Sequence, residues 1–162
     1  WKQIYNGPVT VTETVVGKAP RTVAATTSEA YLYDSIPARG NAVYTVSYAG
    51  GTGGYPQVNY APTSASYSVK GVQRALETKT LSGKRAGFTG KIKPAAKTKI
   101  IAFKKVGKKF KKFKTFKTNK KGKFKVVLPA PRRGQFRWKI VFKGNRQFAA
   151  SVIKGRTYKR HF

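Results

Sequence analysis

The stretch from Lys104 to Lys125, KKVGKKFKKFKTFKTNKKGKFK, constrains the fold of this chain more than any other feature. It contains twelve lysines and no acid, yet Val106 and four phenylalanines recur through it. So much charge with so regular an apolar component is typical of a folded, one-sided surface and not of a loose tail. We expect the stretch to form strands in which the lysines face solvent and the phenylalanines fill a core.

The positive charge of the chain is concentrated in its second half. Residues 1–77 hold all four acids and six basic residues, for a net charge of +2, whereas residues 78–162 hold the other twenty-nine Lys and Arg and no acid. This asymmetry predicts two units, a near-neutral one over residues 1–74 and a strongly basic one over residues 75–162. Repulsion among so many cations must be relieved by counterions or by an anionic ligand.

The composition argues against catalysis and metal binding. The chain has no Cys, a single His at position 161 and four acids confined to its near-neutral half. With so few of these residues, a Ser-His-Asp triad, a multi-His metal site or a paired-carboxylate site is not expected. We therefore predict a non-enzymatic protein with neither a metal site nor a cofactor.

Two further features bear on where the protein works. The sequence begins at Trp1 and contains no Met, which leads us to expect a processed product or a piece of a longer chain. Apolar runs stay well short of the roughly 18 residues that a membrane helix needs, so no transmembrane segment is predicted.

Residue alternation with a period of two predicts strands throughout the chain. The first half is predicted to contain five strands, over residues 4–16, 21–27, 29–36, 42–50 and 65–72, and the Gly- and Pro-rich residues 50–63 are predicted to form a loop. In the second half we predict six strands, over residues 86–94, 98–106, 110–118, 122–131, 135–144 and 149–158.

A helix is the alternative for the start of the lysine-rich stretch. Phe103, Val106, Phe110 and Phe113 follow one another at steps of three, four and three residues, the spacing of an amphipathic cationic helix that binds membranes. Gly107 inside this window and the strand patterns on both sides favour strands.

The two halves resemble consecutive bacterial Ig-like domains of long secreted or surface-attached proteins, particularly actinobacterial ones. The first half carries the resemblance in IPARGNAVYTVSYAGGTGGYPQ followed by ASYSV, and the second in FTGKIKP, TKIIAFKKVGKKFKKFKTFKTNKKGKFKVVLP and GQFRWKIVFKGNRQFAAS. The resemblance covers nearly all of residues 25–157. It implies an all-β fold of two Ig-like β-sandwiches and says little about function.

The sequence departs from this family in two respects. The first domain lacks the two opening strands of the family, so we expect it to be completed by upstream residues or by a strand from a partner. Turn positions that usually hold Asp, Ser or Thr are Lys here, as in NKKGK. The family also suggests an internal Lys–Asn bond assisted by a buried acid, for which the candidates are Glu13, Lys18 or Lys70, and Asn41 or Asn59.

The predicted polyanion-binding residues lie in the lysine-rich stretch and just after it. Such a surface binds polyanions by releasing counterions, and the excess of Lys over Arg favours diffuse attraction over bidentate recognition. The residues are Lys104, Lys105, Lys108, Lys109, Lys111, Lys112, Lys114, Lys117, Lys120, Lys121, Lys123, Lys125, Arg132 and Arg133.

From these observations we expect the C-terminal region of a secreted, envelope-associated bacterial protein. Its basic domain would bind teichoic acid, an acidic polysaccharide or extracellular DNA by charge, and further domains would lie upstream. Two alternatives stay open. One is a structural spacer or a subunit of an extracellular assembly, completed by a partner strand, and the other is a basic nucleic-acid-binding protein.

Overall fold

The protein is all-β. The structure, a computed structural model, describes residues 7–26, 35–53 and 56–160, and within these ranges the regular elements are strands, with no helix. The all-β prediction is therefore confirmed, and the amphipathic-helix alternative is wrong. Nor do the described residues contain a helix long and apolar enough to cross a membrane.

The chain divides into two compact units, Trp1–Val72 and Gln73–Phe162, called unit 1 and unit 2 below. The boundary predicted from the charge distribution lies after Arg74. The strands of unit 1 are β1 Val9–Val15, β2 Arg21–Ala25, β3 Ala42–Tyr48, β4 Gly51–Gly53, β5 Val58–Tyr60 and β6 Thr63–Val69. Those of unit 2 are β7 Ala75–Leu81, β8 Gly87–Lys93, β9 Lys99–Val106, β10 Lys109–Lys117, β11 Lys123–Val127, β12 Gly134–Phe142 and β13 Ser151–Lys159.

Unit 1 is built on an antiparallel sheet of order β2-β1-β3-β6 whose two faces differ in chemistry. In β1 the buried residues are three valines and Glu13, while the threonines between them are half-buried. The threonine side continues across the sheet, because Thr12 pairs with Thr22 on β2 and with Thr45 on β3, and Thr45 pairs with Ser66 on β6. The sheet thus has one apolar face and one face of hydroxyl groups.

The Gly- and Pro-rich residues 50–63 contain more regular structure than the sequence predicts. Strands β4 and β5 form a short antiparallel hairpin, in which Gly51 pairs with Tyr60 and Gly53 with Val58. The prediction of a loop is wrong there, since glycines can pair in a hairpin when a partner strand lies close. The strand predicted over residues 29–36 falls mainly on residues outside the described ranges.

Unit 2 contains two antiparallel sheets, a four-stranded sheet of order β10-β9-β12-β13 and a three-stranded sheet of order β11-β8-β7. They pack face to face, because the ring of Phe88 on β8 stacks on Trp138 of β12 at 4.1 Å between centroids and 26° between planes. Ile92 and Ile140 complete the same fully buried layer. This arrangement is consistent with a β-sandwich.

A glycine makes room for the central tryptophan. Gly155 on β13 pairs with Trp138, and a Cβ atom there would lie 2.3 Å from the indole ring. Any side chain at position 155 would therefore displace the ring around which the two sheets pack.

Strand β7 has no counterpart among the strands predicted from the sequence, since the first one predicted in the second half, over residues 86–94, corresponds to β8. Its alternation is weak, since only Leu76 and two threonines face the core side. Hydrogen bonds tie this end of the three-stranded sheet to β13: Thr157 Oγ1 accepts from Gly87 N of β8 at 3.2 Å and donates to Leu81 O of β7, and Ser151 Oγ donates to Arg74 O, just before β7, at 2.8 Å.

The phenylalanines of the lysine-rich stretch do not all point inward. Strand β9 is apolar on both faces: Ile100 and Ala102 are fully buried in the core, whereas Phe103 lies on the opposite face, paired with Lys112 on β10. A bulge between Lys112 and Lys114 shifts the phase of β10. Phe110 consequently faces outward with Phe103.

Only the later rings of the stretch reach the core. Phe116 packs on Phe124 with 5.5 Å between ring centroids, and Phe124 meets Phe88 edge-on at 6.3 Å. The prediction that the core takes up all the rings is therefore wrong.

Candidate polyanion-binding surface

The predicted binding residues are distributed over strands, turns and both sheets of unit 2. Lys104 and Lys105 lie on β9, five of the lysines lie on β10, and Lys123 and Lys125 lie on β11. Lys108 lies in the β9–β10 turn, Lys120 and Lys121 lie in the β10–β11 turn, and Arg132 and Arg133 precede β12. The structure therefore does not gather them on one surface.

Two outer faces divide these cations. We call the outer face of the four-stranded sheet the front face and that of the three-stranded sheet the back face. Lys105, Lys112 and Lys117 belong to the front face, through their pairing with Phe110, Phe103 and Lys99. Lys123 and Lys125 belong to the back face, because Phe124 and Val126 between them are buried in the core.

The remaining lysines of β10 have a different setting. Lys114 and Lys111 pair with Ala102 and Lys104, on the side of the strand that carries core residues elsewhere. They are nevertheless exposed, since β10 is the edge strand of its sheet. Lysines on an edge strand also hinder unwanted strand pairing.

The back face is mainly polar, although Val127 and Leu81 lie on it at one end. Across it, Lys123 pairs with Lys91, which pairs with Glu77, and Lys125 pairs with Thr89, which pairs with Lys79. Glu77 also forms a surface ion pair with Lys93 at 2.6 Å. Among the described residues of the back face none is aromatic.

The front face combines cations with apolar side chains. Ile101, Phe103, Phe110 and Val141 lie on it half-buried, and Val152 on β13 is 55 % exposed. Across the four strands of this sheet, all of them within the described part of the chain, the sequence contains no Asp or Glu. An anion approaching this face therefore meets no carboxylate on it.

A depression of about 300 Å³ opens at one end of the front face. Three lysines line it, Lys99, Lys112 and Lys143, together with Ile101 and Thr115. The loop on its rim is held in place by Asn145, whose Oδ1 accepts hydrogen bonds from the backbone N–H groups of Gln147 and Phe148 at 2.9 Å each. The depression thus brings lysines from β9, β10 and the end of β12 around one concave site.

Lys139 lies at the centre of the front face, against two aromatic rings. Its Nζ lies 4.5 Å from the ring centroid of Phe103 and 5.2 Å from that of Phe110. Both distances are within the range of a cation–π interaction. The rings hold the ammonium group in position without neutralising its charge.

The same mode of support recurs elsewhere in unit 2. Lys104 Nζ donates to Pro129 O and lies 4.8 Å from the ring centroid of Phe136, and Lys159 Nζ donates to Ala130 O at 2.7 Å. Carbonyl oxygens and ring faces attract a cation but carry no net charge. These lysines are therefore positioned while their full positive charge is kept.

Arg74 is the extreme case, because it is only 8 % exposed. Its guanidinium lies 4.0 Å from the ring centroid of Phe148 and 5.8 Å from that of Phe142, and Nη1 donates to Pro94 O. Its buried Nε has no hydrogen-bond partner in the described structure. Burial lowers the pKa of Arg74, since the charged form is the one that loses hydration.

Unit 1 supports its buried charge differently. The Glu13 side chain is almost completely buried, and its two oxygens accept hydrogen bonds from Arg21 Nε and Tyr44 OH, each at 2.8 Å. Burial alone would raise the pKa of Glu13, but the hydrogen bonds from Tyr44 and Arg21 and the positive charges of Arg21 and Arg39 outweigh it and bring the pKa below its usual value. Burial and the Glu13 carboxylate together raise the pKa of Tyr44.

These contacts also bear on the Lys–Asn bond suggested by the family. The carboxylate oxygens of Glu13 contact Arg21 and Tyr44, while Asn41 Oδ1 accepts a hydrogen bond from Val72 N at 3.1 Å. Lys18 and Lys70 are exposed. The geometry thus assigns Glu13 to an ion pair.

Several residues of the front face were absent from the sequence prediction, namely Lys99, Lys139, Lys143, Phe103 and Phe110. The alternation of β12 already separates Lys139 and Lys143 from the buried Trp138, and this signal could have identified them. Phe103 carried no such signal because β9 is apolar on both faces, and the direction of Phe110 depends on the bulge in β10.

No protein-family model and no curated protein matches the chain. In the part of the chain that the structure describes, no three His, Cys, Asp or Glu side chains come together as a metal site.

Proposed function

We propose that this protein is a non-enzymatic binding protein whose basic unit 2 attaches it to anionic envelope polymers of the bacterial surface, such as teichoic acid. In this proposal both units are Ig-like domains of a secreted protein, and unit 2 binds by charge. The seven strands of unit 2 in two packed sheets, with a buried tryptophan between them, support an Ig-like fold.

One observation carries the proposal. Five of the thirty-five Lys and Arg lie in residues 1–72, and the other thirty lie in residues 73–162, together with the single acid Glu77. Arg74, Lys139 and Lys159 contact ring faces and carbonyl oxygens, so these contacts do not cancel their charge. A field this strong attracts phosphate-rich polymers by counterion release.

The proposal is tested by binding of the full chain to purified cell walls, with and without teichoic acid, at several salt concentrations. We expect binding that needs the teichoic acid and weakens by about 10³- to 10⁵-fold between 50 and 200 mM salt if six to ten phosphates are engaged. Circular dichroism should show an unchanged fold over that range. Retention on walls stripped of every polyanion would contradict the proposal.

A further inference from the structure

We infer that the front face of unit 2 is the binding face, that the depression lined by Lys99, Lys112 and Lys143 is its principal phosphate subsite, and that its ligand is a phosphodiester polymer without aromatic groups. This inference rests on the proposed polyanion binding and narrows it to one face and one chemical class.

Charge is distributed unevenly between the two faces. The back face contains Glu77, which pairs with Lys93 and lies opposite Lys91, so part of its field is cancelled locally. The strands of the front face contain no acid. Of the two, the front face thus has the stronger attraction for an anionic chain.

The shape of the front face also favours binding there. Three lysines from separate elements line the depression, which is a concave site of about 300 Å³. Hydrogen bonds to Asn145 fix the adjoining loop. At the other end of the face, Lys105 and Arg137 line a second, more open depression of about 220 Å³. Lys99 and Lys105 are six positions apart along β9, a distance of about 20 Å, so an extended polymer can contact both ends at once.

The rings of Phe103 and Phe110 bear on the chemistry of the ligand. Aromatic side chains beside lysines on a sheet are also the features that bind single-stranded nucleic acid by base stacking. Here the Lys139 ammonium already lies against both Phe103 and Phe110, within cation–π range. A stacked base would have to displace it. The rings therefore position a cation for phosphate, and bases add little to binding.

The test compares two triple variants of the full chain that remove equal charge from exposed lysines. The front variant is Lys99→Gln, Lys112→Gln and Lys143→Gln, and the back variant is Lys79→Gln, Lys123→Gln and Lys125→Gln; all six positions are exposed. The probes are poly(glycerol phosphate) and oligothymidylate with equal numbers of phosphates, measured by fluorescence anisotropy at 100 mM salt.

We expect the front variant to lose about 100-fold in affinity for poly(glycerol phosphate), because each of its three lost phosphate contacts should lower the binding constant by about 0.7 log units. The back variant should lose less than about threefold. Wild-type protein should bind the two probes within about threefold of each other. If the front variant does not fold, the single variants Lys112→Gln and Lys125→Gln make the same comparison.

Each contrary outcome has its own meaning. Equal losses in the front and back variants would overturn the front-face inference while leaving polyanion binding by unit 2 intact. Oligothymidylate binding that is tenfold tighter, and weakened by Phe103→Leu, would instead identify a base-stacking surface and overturn the assignment of the ligand. No binding of either probe by the wild-type protein would remove the proposed function itself.

Discussion

Units 1 and 2 hold side-chain cations in opposite ways. In unit 1, Arg21 pairs with the buried carboxylate of Glu13, and the two charges cancel. In unit 2, Arg74, Lys104 and Lys139 lie against aromatic rings, and two of them also donate to carbonyl oxygens. A carboxylate holds a cation and neutralises it, whereas a ring or a carbonyl holds it and leaves its charge uncancelled.

This difference is expected to appear most strongly when Arg21 is removed from unit 1. Arg21→Gln leaves the Glu13 carboxylate, which is 1 % exposed, with Tyr44 as its remaining hydrogen-bond donor. Because the Glu13 carboxylate stays buried while the Arg21 side chain is 41 % exposed, loss of this partner should lower the free energy of unfolding by about 2 kcal/mol. Hydrogen exchange of the β1 and β3 amides in the full chain measures this, and a change under about 1 kcal/mol would show that the pair contributes little.

The Glu13 pair should also make unit 1 sensitive to acid. Because the folded-state pKa of Glu13 lies below the unfolded value of about 4.5, its contribution to stability is present above that pH and is lost as the pH falls through the folded-state pKa. Exchange protection of β1 should therefore decline on acidification below about pH 4.5. Glu13→Gln is the control, and an identical decline in that variant would assign the effect to another group.

Replacement of the buried cation of unit 2 should have a smaller effect. Arg74→Met fills similar space with an apolar chain and removes a guanidinium whose Nε has no partner in the described structure. No carboxylate is left unpaired by this change, so we expect the free energy of unfolding to stay within about 1 kcal/mol of wild type. A loss above about 3 kcal/mol in chemical denaturation would mean that the cation–π contacts to Phe148 and Phe142 dominate at this position.

The smallest expected difference separates two neighbouring lysines of the front face. Lys139 lies against two rings, and Lys154 pairs with it on β13. Lys139→Gln should weaken binding of poly(glycerol phosphate) by about tenfold and Lys154→Gln by about threefold, because the ring-bound ammonium is already positioned. Equal losses would indicate that the rings contribute nothing to binding.

Much of this architecture could be predicted from the sequence where one face of a strand is apolar and the other polar. Burial alternates cleanly along β1 and from Trp138 to Phe142 in β12, and the strands predicted over residues 4–16, 42–50 and 135–144 overlap β1, β3 and β12. The charge asymmetry likewise drew attention to unit 2 as the source of the strong field. Local patterns were sufficient for these features because each is decided within one strand.

Features that depend on partner strands could not be predicted. The hairpin of β4 and β5 forms from glycines with little intrinsic preference for strands, and β7 carries a single large apolar residue, Leu76, on its core side. The bulge between Lys112 and Lys114 turns Phe110 outward, and the sequence of β10 does not predict this bulge. A one-residue bulge reverses the faces of the residues on its two sides, so Phe110 and Phe116 lie on opposite faces. The prediction that all the phenylalanines point inward was therefore partly wrong.

The central claim, that the front face of unit 2 holds its cations without neutralising them, is tested most directly at Phe110. Phe110→Gln removes a ring from Lys139, whereas Phe110→Glu removes the same ring and places a carboxylate beside the ammonium. Binding of poly(glycerol phosphate) at 100 mM salt should fall about threefold in the first variant. In the second it should fall at least fivefold further, since an added charge at close range in water contributes about 1 kcal/mol. Equal affinities of the two variants, both folded by circular dichroism, would contradict the claim.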